Sequence, residues 1–183
     1  MLNIRPAKLS DLNNIAKLHA QSWRENYHLV LAAEYLASRV FVEREAVWQE
    51  RLSSPKQNQL VLVAEIDGDF CGFICAFGEN HSKFGTIIDN LHVKAGSKGQ
   101  GTGSHLLAAI ARWADKNYQQ HDLYLEVLEC NPKAMGFYQA KGAKHIASAI
   151  WQTPCNNKAV EFIYSWGSAI NLLKAIELPV GSH

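Results

Sequence analysis

Residues 91–107 read LHVKAGSKGQGTGSHLL and decide the fold, because they join an apolar strand to an amphipathic helix through a glycine-rich loop. Four glycines lie in this stretch, at positions 96, 99, 101 and 103. Because glycine has no Cβ, several main-chain N–H groups can turn toward one anion without a steric clash. The start of the helix adds N–H groups without intrahelical partners and the positive end of the helix dipole. The stretch therefore predicts a cradle for a phosphate or a pyrophosphate.

The glycine spacing does not match the two commonest nucleotide-binding loops. Gly99, Gly101 and Gly103 lack the full G-x-G-x-x-G spacing of a dinucleotide fold, and no Gly-Lys-Ser/Thr closes the loop as in a P-loop. The stretch also lies mid-chain, after a block of antiparallel-looking strands rather than after the first strand of a βαβ unit. An ATP-binding loop of another type and a flexible glycine-rich connection are the alternatives that these residues leave open.

Hydrophobic periodicity on both sides of this loop predicts the remaining elements. The order is strand, helices, three strands, helix, strand, helix and two strands, which predicts an α/β (mixed α+β) fold with helices on the faces of one mixed sheet. The predicted segments are strands at 4–7, 59–66, 70–77, 86–93, 123–128, 146–153 and 160–166, and helices at 11–27, 32–38, 43–52, 104–118 and 132–141.

The C-terminal tail has its own apolar pattern. Ile170, Leu172, Leu173 and Ile176 follow near-helical spacing, so residues 167–183 are predicted to be a tail that contains a short helix. The helix is expected to dock on the domain formed by residues 1–166, and a contact in a homodimer is the alternative.

Composition excludes several classes of function. The chain has a formal net charge of +1 and no basic block, which argues against a nucleic-acid partner. No run of about 18 apolar residues predicts a membrane span, and the N-terminus lacks the apolar region of a signal peptide. The four cysteines form no Cys-x-x-Cys pair, so neither a disulfide scaffold nor a metal site is expected. These features predict a reduced, cytoplasmic protein that does not act at a membrane.

Two segments of the sequence resemble the motifs of a known family, and both their order along the chain and the elements they lie on match that family. Residues 98–103 read KGQGTG after a strand that ends at residue 93, and residues 131–142 read NPKAMGFYQAKG on the next predicted helix. They resemble the Arg/Gln-x-x-Gly-x-Gly/Ala and Asn-x-x-Ala-x-x-Phe-Tyr-x-x-x-Gly segments of the GNAT superfamily of acyl-CoA-dependent N-acetyltransferases. Lys98 stands where that family usually has Arg or Gln. The resemblance extends over residues 1–166.

The resemblance implies that the sheet is mostly antiparallel and splayed into a V, and that the gap holds acetyl-CoA. The pantetheine arm is expected to pair with main-chain groups near Leu91 and Val93, and the pyrophosphate to lie on the amides of residues 98–104. The residues that the resemblance assigns to acetyl-CoA are Leu91, His92, Val93, Lys98, Gly99, Gln100, Gly101, Thr102, Gly103, Ser104, Asn131, Ala134, Phe137 and Tyr138.

The same resemblance implies transfer of an acetyl group to a primary amine of a small molecule or a peptide. Tyr138 is expected to act as the general acid toward the thiolate, and Glu126 to help deprotonate the amine. Asp89 is the rival base. Strand alternation predicts that Glu126 lies on the face opposite Leu125, and that Asp89 shares a face with Leu91. A non-catalytic module that binds acyl-CoA on the same fold is the alternative function.

Acceptor recognition is expected to fall to the first two helices and the last hairpin, by analogy with the family. Trp23 and Tyr27 are the candidate substrate-contacting residues, since aromatic faces suit a cationic amine. The alternative is that Trp23 and Trp48 are core residues. His81 and His92 are expected to be ordinary loop and strand residues, and no metal is predicted.

Overall fold

The computed structural model describes residues 1–177 and contains a seven-stranded sheet with helices on both faces. The sheet order is β1-β2-β3-β4-β5-β7-β6. The strands are β1 Leu2–Pro6, β2 Gln59–Ile66, β3 Asp69–His81, β4 Gly85–Val93, β5 Leu123–Leu128, β6 Lys144–Gln152 and β7 Lys158–Gly167. The helices are α1 Leu12–Asn26, α2 Val40–Ser53, α3 Thr102–Asn117, α4 Pro132–Ala140 and α5 Ala169–Glu177.

A V-shaped gap opens in the middle of the sheet. All neighbouring strands are antiparallel except β4 and β5, which run parallel and pair over only three positions, Thr86–Leu123, Ile87–Tyr124 and Ile88–Leu125. Beyond Ile88 and Leu125 both strands continue, but neither has a strand partner on the edge that faces the other. The predicted fold, a mixed and mostly antiparallel sheet splayed into a V, is confirmed.

Alternation along the central strands builds a core on each face of the sheet. On one face, Leu125 packs with Leu106 of α3 and Leu172 of α5. On the other face, Tyr124 packs in a cluster with Ile15 of α1. Burying a Leu or Ile side chain contributes about 1.5–3 kcal/mol, so these two cores hold the halves of the V in place.

A β-bulge at Asp89 corrects one prediction about β4. Cys75 of β3 pairs with Asn90 and Ala76 pairs with Ile88, so Asp89 is the extra residue. A bulge breaks the two-residue alternation of side chains. Leu91 consequently packs with the α3 core, whereas Asp89 bonds to Arg51 of α2 on the opposite face. The prediction that Asp89 and Leu91 share a face is wrong for this reason.

The two helical segments predicted at 32–38 and 43–52 form one continuous stretch. A π-helical turn, Tyr35–Arg39, runs directly into α2. Tyr35 and Leu36 are buried in a small cluster with Trp23 of α1. Arg24 also donates its Nε–H to the Leu36 carbonyl at 2.8 Å. These contacts dock the start of α2 on the end of α1, next to the gap between β4 and β5.

The described part of the C-terminal tail is helical. Leu172 of α5 is fully buried in the α3 core, while Ile170 remains 44% exposed. Residues 178–183 of the predicted tail lie outside the described residues. No helix within residues 1–177 is both long enough and apolar enough to cross a membrane.

Candidate functional site

A cleft of about 680 Å³ lies where β4 and β5 separate. We call its two walls the α4 side and the α1 side. The α4 side is formed by the glycine loop and α4, through Lys98, Gly99, Gly103, Asn131, Ala134, Phe137 and Tyr138. The α1 side is formed by α1, α2, the β6–β7 hairpin and the adjoining side chains of β4 and β5, through His19, Ser22, Trp23, Asn26, Tyr27, Arg44, Arg51, Asp89, Glu126, Trp151 and Glu161.

The glycine loop on the α4 side presents a run of free main-chain donors. Gly99 and Gly101 have φ angles of +78° and +81°, a left-handed conformation that glycine adopts without strain. The N–H groups of residues 99–104 have no hydrogen-bond partner within residues 1–177, whereas the His105 N–H donates to the Gly101 carbonyl at 3.0 Å. The loop and the first turn of α3 can therefore hold an anion.

Lys98 corrects the predicted extent of this cradle. Its N–H donates to the Ala95 carbonyl at 3.3 Å, within the short turn Ala95–Ser97. The run of free amides therefore begins at Gly99 rather than at Lys98. The Lys98 side chain is exposed and lines the cleft, so its charge remains available to an anion there.

Four of the residues predicted to bind the cofactor do not line the cleft itself. Thr102 is only 1% exposed, so it offers a ligand no more than its main-chain N–H. The Gln100 side chain is turned away and donates to the Gly96 carbonyl at 3.0 Å. Gly101 and Ser104 also lie outside the lining. These four residues contribute to the site through the main chain of the loop.

Helix α4 places three predicted residues against the loop. Asn131 caps the helix, its Oδ1 accepting the Ala134 N–H at 3.2 Å. The Phe137 ring lies so close to Gly103 that a Cβ there would come within 3.2 Å of it. Gly103 therefore lets α4 approach the start of α3, which brings Ala134 and Phe137 to the cleft wall.

Tyr138 lies deep on the α4 side, and its ring packs edge-on against Phe137 and Trp166. Its hydroxyl makes no hydrogen bond within the described residues. Burial, with a smaller contribution from Tyr27, raises the pKa of Tyr138 well above the ordinary value for a phenol. The hydroxyl is therefore protonated at neutral pH and can donate a proton or a hydrogen bond into the cleft.

The two candidate bases have different surroundings. Asp89 accepts from Arg51 in an ion pair of 2.7 Å. Glu126 lines the same cleft with no ion pair or hydrogen bond to another described residue. Burial, followed by the charge of Asp89, raises the pKa of Glu126. Within the described residues, the Glu126 carboxylate therefore has no partner, whereas the Asp89 carboxylate is paired with Arg51.

Glu161 of β7 is a third carboxylate of the cleft, and sequence analysis missed it. Glu126 pairs with Ile163 and Leu128 with Glu161, so Glu161 is the diagonal neighbour of Glu126 on the same face. Burial and the charge of Glu126 raise the pKa of Glu161 to about 7. Strand alternation in the sequence predicts that Glu161 and Ile163 lie on the same face of β7. The proximity of Glu161 to Glu126 depends on the register between β5 and β7, which the sequence does not show.

The two aromatic residues predicted to contact substrate do lie on the α1 side. Trp23 is 9% exposed, and its ring centroid lies 5.7 Å from those of both Tyr27 and Trp151. Burial raises the pKa of Tyr27 to about 12. Trp48 is fully buried and belongs to the core, and Trp23 also packs in a buried cluster, with Tyr35 and Leu36. Trp151 comes from the last hairpin and was not singled out in the sequence.

The predicted cofactor residue His92 points its ring away from the α4 side. Its Nδ1 lies 2.9 Å from the Ser22 hydroxyl of α1, and its ring lies 4.9 Å from that of His19. Burial lowers the pKa of His92 to about 4, so the imidazole is neutral at physiological pH. The His81 Nδ1 accepts the N–H groups of Lys83 and Phe84 and closes the turn after β3.

No group of three or more His, Cys, Asp or Glu side chains within residues 1–177 is arranged to hold a metal ion.

Comparison with known proteins relates this cleft to an enzyme family. Residues 16–143 match the sequence profile of the acetyltransferase (GNAT) family. The chain is 32% identical over 154 residues to the uncharacterized N-acetyltransferase YuaI of Bacillus subtilis, covering 80% of this chain and 83% of that protein. It is 30% identical to the thialysine N-epsilon-acetyltransferase of Bos taurus, covering 80% of this chain and 86% of that protein.

A solved structure shares the fold. The PaiA N-acetyltransferase of Thermoplasma acidophilum, in complex with coenzyme A, superposes with a TM-score of 0.66 at 20% identity. The match covers 88% of this chain and 98% of that one. At this identity the likeness establishes the architecture.

Proposed function

The chain belongs to the acetyltransferase (GNAT) family, and we propose that it transfers an acetyl group from acetyl-CoA to a primary amine by direct attack of the amine on the thioester. Acetyl-CoA is the cosubstrate. The relatives carry the name N-acetyltransferase, which supports an amine nitrogen as the acceptor atom. The acceptor of this proposal is a small-molecule or peptide amine.

The observation that carries the proposal is the run of free N–H groups from Gly99 to Ser104. A diphosphate needs several donors directed at one place, and a helix N-terminus adds a favourable electrostatic field. The loop satisfies both conditions without using a side chain, and Lys98 adds a positive charge at its edge. The cradle therefore fits the diphosphate of coenzyme A, even though Lys98 departs from the family pattern.

The gap between β4 and β5 fits the pantetheine arm. An extended, amide-containing arm can pair with the edge of β4 from Asp89 to Val93, which has no strand partner on that side. Asn131, Ala134 and Phe137 would contact the arm from α4. A main-chain N–H near Val93 would polarise the thioester carbonyl, as donors do in an oxyanion hole.

We assign the general acid to Tyr138. The coenzyme A thiolate leaves when the C–S bond breaks, and the Tyr138 hydroxyl donates a proton to it. Its position on the α4 side of the gap, with no other hydrogen-bond partner, supports this assignment. Burial keeps the hydroxyl protonated up to a pH far above neutrality.

We assign the base to Glu126. An amine bound as a cation must lose one proton before its lone pair can attack the carbonyl carbon. Glu126 is favoured over Asp89 because the Arg51 guanidinium already neutralises Asp89. Its raised pKa brings Glu126 closer to the range in which a carboxylate accepts a proton well near neutral pH.

The test is release of free thiol from acetyl-CoA in the presence of a panel of amines, combined with calorimetric binding of coenzyme A. We expect tight binding of coenzyme A and turnover with at least one class of amine. Binding without turnover across the panel would favour a non-catalytic acyl-CoA-binding module. A folded protein that ignores coenzyme A at millimolar concentration would contradict the proposal.

A further inference from the structure

Arg44 of α2 lines the α1 side of the cleft without an acidic partner. Its guanidinium lies 4.3 Å above the Trp23 ring and makes no ion pair or hydrogen bond within residues 1–177. Its Nε is inaccessible to solvent and has no hydrogen-bond partner. Burial lowers the pKa of Arg44, the direction expected for a cation without a counter-charge. A desolvated guanidinium costs free energy unless an anion reaches it.

The carboxylates of Glu43 and Asp89 are engaged elsewhere. Glu43 accepts from Tyr35 and from Arg39, each at 2.8 Å. Asp89 is held by Arg51 at 2.7 Å. Arg39, in the turn before α2, and Arg51 of α2 therefore have ion-pair partners, whereas Arg44 lines the cleft without one among the described residues.

His19 supplies a second, independent donor without a partner on the same side. Its side chain is 2% exposed, and its Nδ1 accepts the Trp48 Nε1–H at 2.9 Å. Since the indole N–H can only donate, the neutral imidazole carries its proton on Nε2. That Nε2 is inaccessible to solvent and has no hydrogen-bond partner within the described residues, although other atoms of His19 line the cleft. His19 and Arg44 both contact Trp23: the imidazole and indole ring centroids lie 5.3 Å apart, and the guanidinium lies 4.3 Å above the indole, so the two groups are near each other.

The opposite part of the same wall is acidic. Glu126 and Glu161 share one face of the sheet and make no ion pair with a described residue. The α1 side therefore has two donors on the helices, the cationic Arg44 and the neutral His19, and a carboxylate pair on the sheet. A molecule that fills this space can pair with both the donors and the carboxylates only if it carries an anionic group and an amine.

We infer that Arg44 and His19 bind a carboxylate of the acceptor, so that the acceptor is a free amino acid whose amine is directed toward Glu126 and Glu161. A carboxylate matches the guanidinium through charge-assisted, often bidentate hydrogen bonds. Trp23, held under Arg44, orients the guanidinium by stacking. The inference rests on the proposed amine acetyltransferase function and adds the class of acceptor to it.

The experiment compares each common amino acid with the amine that it gives on decarboxylation, for instance lysine with cadaverine and ornithine with putrescine. Thiol release gives kcat and KM, and calorimetry in the presence of coenzyme A gives affinity independently of turnover. We expect at least one amino acid to be preferred over its paired amine. Arg44→Gln should raise the KM of that amino acid by roughly ten- to a hundredfold and leave the KM of the paired amine unchanged. Arg39→Gln, on the exposed side of the same helical stretch, is the matched control and should leave both KM values unchanged.

A short peptide with a free C-terminus forms the third arm, and a preference for it over the amino acid would overturn the assignment of a free amino acid. Equal KM and affinity for amino acids and paired amines, unaffected by Arg44→Gln, would overturn the carboxylate site while leaving the acetyltransferase proposal intact. If no amine is acetylated, calorimetry decides alone: amino-acid binding that Arg44→Gln abolishes supports the site, and its absence overturns it. Thermal melting of each variant verifies that it is folded.

Discussion

The two sides of the cleft present different kinds of chemical groups. The α4 side presents main-chain N–H groups from six consecutive residues, 99–104, in one loop. The α1 side presents side chains from α1, α2, β4, β5, β6 and β7. Main-chain donors do not depend on side-chain identity, so they suit a diphosphate that all members of a family bind. Side chains can be substituted one at a time, so they suit an acceptor that differs between members. The difference is the one we expect if the α4 side binds acetyl-CoA and the α1 side binds the acceptor.

The largest expected effect tests Tyr138, which lies deep on the α4 side. Tyr138→Phe should lower kcat by about 10²–10⁴-fold, the usual contribution of a general acid, because only the donated proton is lost. The affinity for coenzyme A should stay within about twofold, since the ring and its packing remain. Stopped-flow thiol release and calorimetry measure the two quantities. Unchanged turnover would remove Tyr138 from the mechanism.

A second prediction separates the carboxylates of the α1 side. Glu126→Gln should lower kcat/KM by roughly a hundredfold, because the amine loses its proton acceptor. Asp89→Asn should have a smaller effect on kcat/KM, since Arg51 already neutralises that carboxylate. Steady-state kinetics on both variants make the comparison. A larger loss for Asp89→Asn would reverse the assignment of the base.

A third prediction tests whether the α4 side depends on backbone conformation. Gly101 has a φ of +81°, so Gly101→Ala strains the loop and should weaken coenzyme A binding by about tenfold. Gly96 is the matched control, because its φ is not positive and a Cβ there would meet nothing within 4 Å. Gly96→Ala should bind coenzyme A like the unmodified protein. Equal weakening in both variants would show that loop flexibility, rather than the left-handed conformation, matters.

The smallest expected effect concerns the acidic pair. The pKa of Glu161 is raised to about 7 in the folded protein from an ordinary value of 4.5, so its burial costs stability progressively as pH rises from 4.5 to 7. Glu161→Gln removes that cost and should raise the Tm at pH 8 by about 2–4 °C. At pH 4.5 the variant and the unmodified protein should have nearly the same Tm. Calorimetric scans at both values check the sign.

Sequence patterns predicted the fold well where the signal was local. The strands at 59–66 and 123–128 have the predicted bounds, since both are short segments rich in Leu and Val. The bulge at Asp89 was not predictable, because it depends on how β3 and β4 pair. It moved Asp89 to the face opposite Leu91 and toward Arg51. Glu161 and Arg44 were missed because neither lies in a motif.

The sequence by itself determined the glycine loop, the order of elements and the family, because each depends on residues that are neighbours along the chain. Only the tertiary structure decided which charges share the cleft. Arg44, Glu126 and Glu161 are brought together by helix docking and strand register, and both arise from the packing of segments far apart in sequence. Local patterns specify elements, whereas the electrostatics of a site depend on distances in space.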